Sequence, residues 1–190
     1  LPGVIVEPVA AEAHKRYGLE RAALVFNGAH THSGPVIEGH LSLTRPPDAA
    51  NARIVAAYGE TLKQKLVEVI GAALSDLKPA TLSFGYGEAG FAMNRRQPTP
   101  KGVIIGANPE GPVDHRVPVL RVSSPGGKLR ALLFGYACHN TTLTGDFYKL
   151  SGDYAGFAMS EIERQTPGVV ALFMQLCAGN QDPQPRGTLD

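Results

Sequence analysis

Apolar residues recur along this chain with two different spacings, which predicts helices alternating with strands. Residues 8–17 predict a short helix that ends at Gly18, and residues 21–26 predict a strand. Asp48 can cap a second helix, because apolar residues at spacings of three and four follow it as far as Leu77. This long amphipathic helix is expected to end at the Lys-Pro pair that comes next.

The second half of the chain predicts a sheet. Strands are expected over residues 80–86, 117–123, 129–137 and 169–176, and a helix is expected over residues 152–164. A Ser-Pro-Gly-Gly-Lys segment joins the second and third of these strands and predicts a hairpin. Together the patterns predict an α/β fold with a mixed β-sheet and flanking helices.

Three of the predicted apolar strands end in polar loops. The loops follow Phe26, Ala137 and Leu176, and they are rich in His, Asn, Gly and Pro. In α/β sheets, the loops beyond the carboxyl ends of the strands are where sites are built. We therefore expect the functional site at this edge of the sheet.

Composition and charge narrow the possible functions. The 190 residues include 18 Lys plus Arg against 17 Asp plus Glu, and this balance argues against nucleic-acid binding. The longest apolar stretches, 131–138 and 168–176, are far shorter than the roughly 18–20 residues of a membrane span, so no span is expected. A hydrophobic share of 43% suits a single domain over residues 1–190, or a large part of one. Two cysteines do not make a disulfide framework, and no pattern specifies an oligomeric state.

Three histidines in two of these loops are candidate metal ligands. His30 and His32 lie two residues apart, so in extended backbone their imidazoles point to the same side. They suit two zinc ligands, or one ligand and one partner, although two surface histidines in a turn is the alternative. His139 follows an apolar strand, where a buried structural histidine is the alternative. The pairing of His139 with His30 or His32 favours a metal site.

An arginine pair and an acid are further candidates. Arg95 and Arg96 follow a glycine-rich strand and could clamp a carboxylate, a phosphate or a developing oxyanion, although surface salt bridges are the commoner role. Asp153 begins the predicted helix over 152–164, where an N-cap or a dipole partner is more common than a catalytic acid.

Five motifs occur in an order that resembles the neutral/alkaline (non-lysosomal) ceramidase family. They are His-Thr-His-Ser-Gly-Pro at 30–35, Asn-Arg-Arg at 94–96, Ala-Cys-His-Asn-Thr-Thr at 137–142, Ser-Gly-Asp-Tyr-Ala-Gly at 151–156 and Ala-Gly-Asn-Gln-Asp-Pro at 178–183. The resemblance implies a Zn²⁺-dependent amidase that cleaves the N-acyl bond of a lipid amide, ceramide, with a metal-activated water. It also favours a secreted or periplasmic location.

By position, the resemblance implies that His30 and His139 are zinc ligands. It also implies that His32 faces the scissile carbonyl and that Arg95 binds substrate or stabilises the oxyanion. This is chemically coherent, because zinc polarises an amide carbonyl and lowers the pKa of bound water towards about 7, while fixed donors stabilise the charge that develops.

The chain departs from the family in one loop. The family reads Gly-Asp-x-Ser-Pro there, whereas this chain has Asn180 for the aspartate and Asp182 for the serine. A carboxylate cannot copy the acyl-transfer chemistry of serine, but Asp182 could act as a base or orient a metal-bound water. Two alternatives therefore stay open: a non-catalytic binding module with the same fold, and a metal hydrolase of a different amide or ester.

The resemblance also implies that more of the protein is needed. In the family, the remaining zinc ligands are a glutamate and a tyrosine from a later part of the catalytic domain. The chain begins at Leu1 without Met or a cleavage pattern, so the true start of the protein is expected to lie elsewhere. We therefore expect residues 1–190 to be the N-terminal portion of a larger catalytic domain.

Overall fold

The computed structural model describes residues 1–40 and 47–187, and the contacts divide the chain into two compact units. The first unit is Leu1–Asn27 with Pro35–Lys78, and the second is Gly28–Gly34 with Pro79–Asp190. The predicted class, a mixed α/β fold with flanking helices, is confirmed. The single domain over residues 1–190 stays a prediction, and its last three positions lie outside the described residues.

Helices α1 (Gly3–Tyr17) and α2 (Ala49–Ser75) make up most of the first unit. The predicted end of α1 is confirmed at Gly18, which adopts a left-handed φ of 68°. The predicted N-cap of α2 is confirmed at Asp48, whose side chain accepts a hydrogen bond from the Asn51 N–H at 2.9 Å. The start of α1 was predicted five residues too late. Its apolar face is already buried in the first turns, at Ile5, Val6, Val9, Ala10 and Ala13.

The strand predicted over residues 21–26 is wrong. Arg21–Ala23 form a short 3-10 helix, and Val25 is 80% exposed. No strand among the described residues pairs with this segment. Strand-like residues need a partner strand and a covered face, so residue type alone did not decide the outcome.

The described part of the second unit contains eight strands and helix α3 (Asp153–Gln165). The strands are β1 (Thr81–Glu88), β2 (Ala92–Asn94), β3 (Arg96–Thr99), β4 (Gly102–Ile105), β5 (Arg116–Ser123), β6 (Leu129–Tyr136), β7 (Val170–Gln175) and β8 (Gln181–Pro183). The main sheet has the order β1-β5-β6-β7. Strands β5 and β6 form the predicted antiparallel hairpin, whereas β7 runs parallel to β6 after the α3 crossover.

Two small ribbons were not predicted. Strand β3 pairs with β4, and β2 pairs with β8, with Met93 opposite Asp182 and Asn94 opposite Gln181. Strands of three or four residues are too short to show a period. The β2–β8 ribbon matters for the site because it places Arg95 beside the loop that follows β7.

An aromatic core supports the loops at the end of the sheet. Ala92, Tyr136 and Cys138 are buried, and the rings of Phe91 and Tyr154 pack against them. The Tyr154 hydroxyl donates to the Cys138 carbonyl at 2.8 Å. Packed side chains therefore hold the backbone just before His139 in place.

None of the described helices is both long enough and apolar enough to cross a membrane.

Candidate active site

The structure brings His30, His32 and His139 together. One ligand nitrogen from each lies within 4.8 Å of the others. The ring centroids of His30 and His139 are 4.7 Å apart, and those of His32 and His139 are 5.7 Å apart. His139 is buried, whereas the other two are exposed. The cluster lies where the sequence predicted a site, at the carboxyl ends of β6 and β7.

The ring of His139 is held by the loop after β7. Its Nδ1 lies 2.8 Å from the Ala178 carbonyl and 3.1 Å from the Gln181 carbonyl. Carbonyl oxygens only accept hydrogen bonds, so Nδ1 is the donor in these contacts, and the tautomer with its proton on Nδ1 has its lone pair on Nε2. Metal-binding histidines are commonly oriented in this way by a backbone carbonyl.

The loop that carries His30 and His32 is bound to the loop that follows β6. Thr31 forms a parallel bridge with Asn140, and the His32 N–H donates to the Asn140 carbonyl at 3.4 Å. The backbone of His30 has a φ of 58°, which is uncommon outside glycine and needs support from its surroundings. Thr31 provides further support, because its hydroxyl donates to the Ser151 carbonyl at 2.9 Å.

Asn140 connects the elements that form the site. It is 0% exposed, and its Nδ2 donates to the Ala29 carbonyl at 2.5 Å and to the Gln175 side-chain oxygen at 3.1 Å. Its Oδ1 accepts from the Ala155 N–H at 3.2 Å. Sequence reasoning placed Asn140 in the motif at 137–142 but assigned it no role. Its position beside His139 at the end of a strand was the available signal.

Asp153 is a buried anchor for the His139 loop. It is not the N-cap of α3, but it is an acid in the first turn of α3, as the dipole-partner alternative predicts. Gly152 occupies the N-cap position of α3, and no side chain forms a capping hydrogen bond there. The Asp153 carboxylate, 1% exposed, accepts N–H bonds from Thr142 at 3.1 Å, Leu143 at 3.0 Å and Tyr154 at 2.7 Å. These three donors compensate its buried charge.

Asp182 lies between two arginines. It is 4% exposed, and its Oδ1 accepts from Arg95 Nη1 at 3.2 Å while its Oδ2 accepts from Arg186 Nη1 at 3.1 Å. Arg186 also donates to the Thr141 carbonyl at 2.9 Å. Both carboxylate oxygens are occupied, and the His139 Nδ1 is 3.8 Å away. This arrangement favours a positioning role for Asp182 over that of a general base.

A cleft of about 390 Å³ opens beside the cluster, and its lining includes His30, His139, Arg95 and Arg96. Both arginines donate to the Gly179 carbonyl, Arg95 through Nε at 3.2 Å and Arg96 through Nη2 at 2.9 Å. Desolvation lowers the pKa of His32 below its usual value, and the nearby His139 and Arg95 lower it further.

Several known proteins are similar to this chain in sequence, although no protein-family model matches it. Neutral ceramidase B of Dictyostelium discoideum is 26% identical over 181 residues, covering 87% of this chain and 24% of that protein. The neutral ceramidase of Pseudomonas aeruginosa is 28% identical over 169 residues, covering 84% and 24%. That of Mycobacterium tuberculosis is 26% identical, covering 87% and 27%. The chain thus spans about a quarter of the length of these relatives.

Two solved structures share the fold. A ceramidase complexed with C2 superposes with a TM-score of 0.70 at 24% identity, covering 95% of this chain and 28% of that one. The crystal structure of the Pseudomonas aeruginosa neutral ceramidase gives a TM-score of 0.69 at 23% identity, covering 98% and 31%. Sequence and fold agree, and the resemblance that the ordered motifs predicted is confirmed: this chain is similar to part of the neutral ceramidases in sequence and in fold.

Proposed function

We propose that the protein carrying this chain is a Zn²⁺-dependent hydrolase of an N-acyl amide bond, similar to the ceramidases. The convergence of His30, His32 and His139 carries this proposal. The similarity to neutral ceramidases supports the reaction class and a lipid amide as substrate. A secreted or periplasmic location stays a prediction from the resemblance.

The donor set fits zinc. Imidazole nitrogens are common zinc ligands, and two nitrogens at about 2.0–2.1 Å from a tetrahedral ion lie about 3.3–3.4 Å apart. The three histidine nitrogens lie within 4.8 Å of one another, which is close to that spacing. We assign His30 and His139 as ligands, with His139 held in the binding tautomer by Ala178. When bound, zinc polarises the amide carbonyl and lowers the pKa of water.

The remaining residues bind and orient the substrate. His32, exposed at the cluster, offers a ring nitrogen to the scissile amide. Arg95 is held by Asp182 and by the Gly179 carbonyl, and so offers a fixed cation to the oxygen on which charge develops. Asp182 binds Arg95 on one side and Arg186 on the other, and so keeps Arg95 in place.

Metal content and hydrolysis, measured together on the full protein, test the proposal. We expect His30→Ala and His139→Ala to lose both zinc, measured by plasma mass spectrometry, and hydrolysis of a fluorogenic N-acyl amide. His32→Ala should keep its zinc and lose turnover. The control is His14→Ala, which changes an exposed histidine of α1. Full zinc occupancy in both ligand variants would overturn the zinc assignment, and a zinc-loaded protein that binds the amide without cleaving it would favour the binding module.

A further inference from the structure

The cleft beside the histidine cluster carries concentrated positive charge. Arg95 and Arg96 are part of its lining, and none of the described residues that line it is acidic. The other lining residues, apart from His30 and His139, are uncharged. Field lines from like charges are focused in such a cleft, which attracts ligands of opposite charge.

The two guanidinium groups converge on one backbone oxygen. Arg95 and Arg96 both donate to the Gly179 carbonyl, so their charges are only a few ångströms apart and repel each other. Arg95 has a carboxylate partner in Asp182. Among the described residues, no carboxylate lies within 4.0 Å of the guanidinium of Arg96.

Among the described residues, the one carboxylate that contacts these arginines does not balance their charge. Asp182 is shared by Arg95 and Arg186, so the addition of Arg96 leaves two positive charges uncompensated around this loop. The backbone of Arg96 is also held in place. Its N–H donates to the Asn94 side chain at 2.8 Å, and its carbonyl accepts from Asn108 at 2.9 Å. The backbone therefore holds this cation at the rim of the cleft.

We propose that the cleft takes an N-acyl amide with an anionic group close to the scissile bond, as in an N-acylated α-amino acid, and that Arg96 binds this group. The inference deepens the proposed function and rests on it. A planar guanidinium fits a carboxylate through two parallel N–H···O bonds. In this arrangement, the scissile amide bond lies towards His30, His139 and Arg95, while the carboxylate supplies the negative charge that balances the arginines.

Binding to the full protein gives the first test. N-lauroylglycine and N-lauroylethanolamine share the acyl chain and the amide and differ in the carboxylate. By isothermal titration calorimetry we expect the glycine conjugate to bind about tenfold more tightly, with the preference falling as salt rises. Arg96→Gln should remove the preference, and Arg96→Lys should keep part of it. The matched control is Lys101→Gln, which removes an exposed cation outside the cleft lining.

Hydrolysis distinguishes the failure of this inference from that of the proposed function. We expect Arg96→Gln to lower kcat/KM about tenfold more for the glycine conjugate than for the ethanolamine conjugate, whereas Lys101→Gln should leave the ratio of the two kcat/KM values as in the wild type. If neither conjugate is cleaved but the preference in binding depends on Arg96, the amidase proposal fails and the anion site stands. Equal binding of both conjugates by the wild-type protein, or a preference that survives Arg96→Gln, would overturn the inference.

Discussion

Replacement of Asp153 is expected to destabilise the loop that carries His139. The carboxylate accepts hydrogen bonds from the backbone N–H groups of Thr142, Leu143 and Tyr154. Its own backbone has a φ of 52°, in the left-handed region that Asn tolerates better than Ala. Asp153→Ala therefore removes all three acceptor contacts and adds backbone strain, whereas Asp153→Asn keeps the shape and loses acceptor capacity.

The size of the effect follows from the buried donors. An N–H group left buried without a partner costs about 1–3 kcal/mol, and Asp153→Ala leaves at least those of Thr142 and Leu143 in that state. Alanine in the left-handed region adds about 1 kcal/mol. We expect a loss of about 3–7 kcal/mol in the free energy of unfolding for Asp153→Ala. For Asp153→Asn, where one donor faces an amide N–H, we expect about 1–3 kcal/mol.

Urea denaturation followed by circular dichroism measures these differences. The control is Asp146→Ala, which changes an exposed acid in the same connection between β6 and α3 and should stay within about 0.5 kcal/mol of the wild type. We expect the order of stability to be Asp146→Ala, then Asp153→Asn, then Asp153→Ala. If Asp153→Ala were as stable as the control, the carboxylate would not be the anchor that we describe.

Three further predictions concern the surroundings of the site. Asn140→Asp removes the donors to the Ala29 carbonyl, so we expect a loss of about 1–3 kcal/mol in unfolding and weaker zinc retention in dialysis; unchanged zinc content would contradict the role of Asn140. Asp182→Asn removes the negative charge that pairs with Arg95 and Arg186, and solvent screens these ion pairs only in part because the arginines are partly exposed. We therefore expect about 1–3 kcal/mol of destabilisation and a lower kcat at unchanged zinc content. A kcat restored by Asp182→Ser would instead indicate serine chemistry. Burial raises the pKa of the Cys138 thiol to about 12, so Ellman's reagent should label the exposed Cys177 in the folded protein and Cys138 only after unfolding; fast labelling of both would contradict the burial.

The long elements of the fold could be predicted because their signals are local. Helix α2 shows a continuous apolar period, and the β5–β6 hairpin has its turn residues in the sequence. Residues 21–26 look like a strand but have no partner strand among the described residues. A strand is completed by residues elsewhere in the chain, so the local pattern over residues 21–26 could not decide its structure.

The sequence by itself determined the identity of the chemical groups: the three histidines, Arg95, and the order of motifs that relates the chain to the ceramidases. Only the tertiary structure decided what those groups face. Arg95 and Asp182 are 87 residues apart, and their contact depends on the β2–β8 ribbon. The role of Asp153 depends on the backbone N–H groups of residues ten and eleven positions before it. Residue type sets the chemistry that is available, whereas long-range packing sets burial and hydrogen-bond partners, which determine the role of each group.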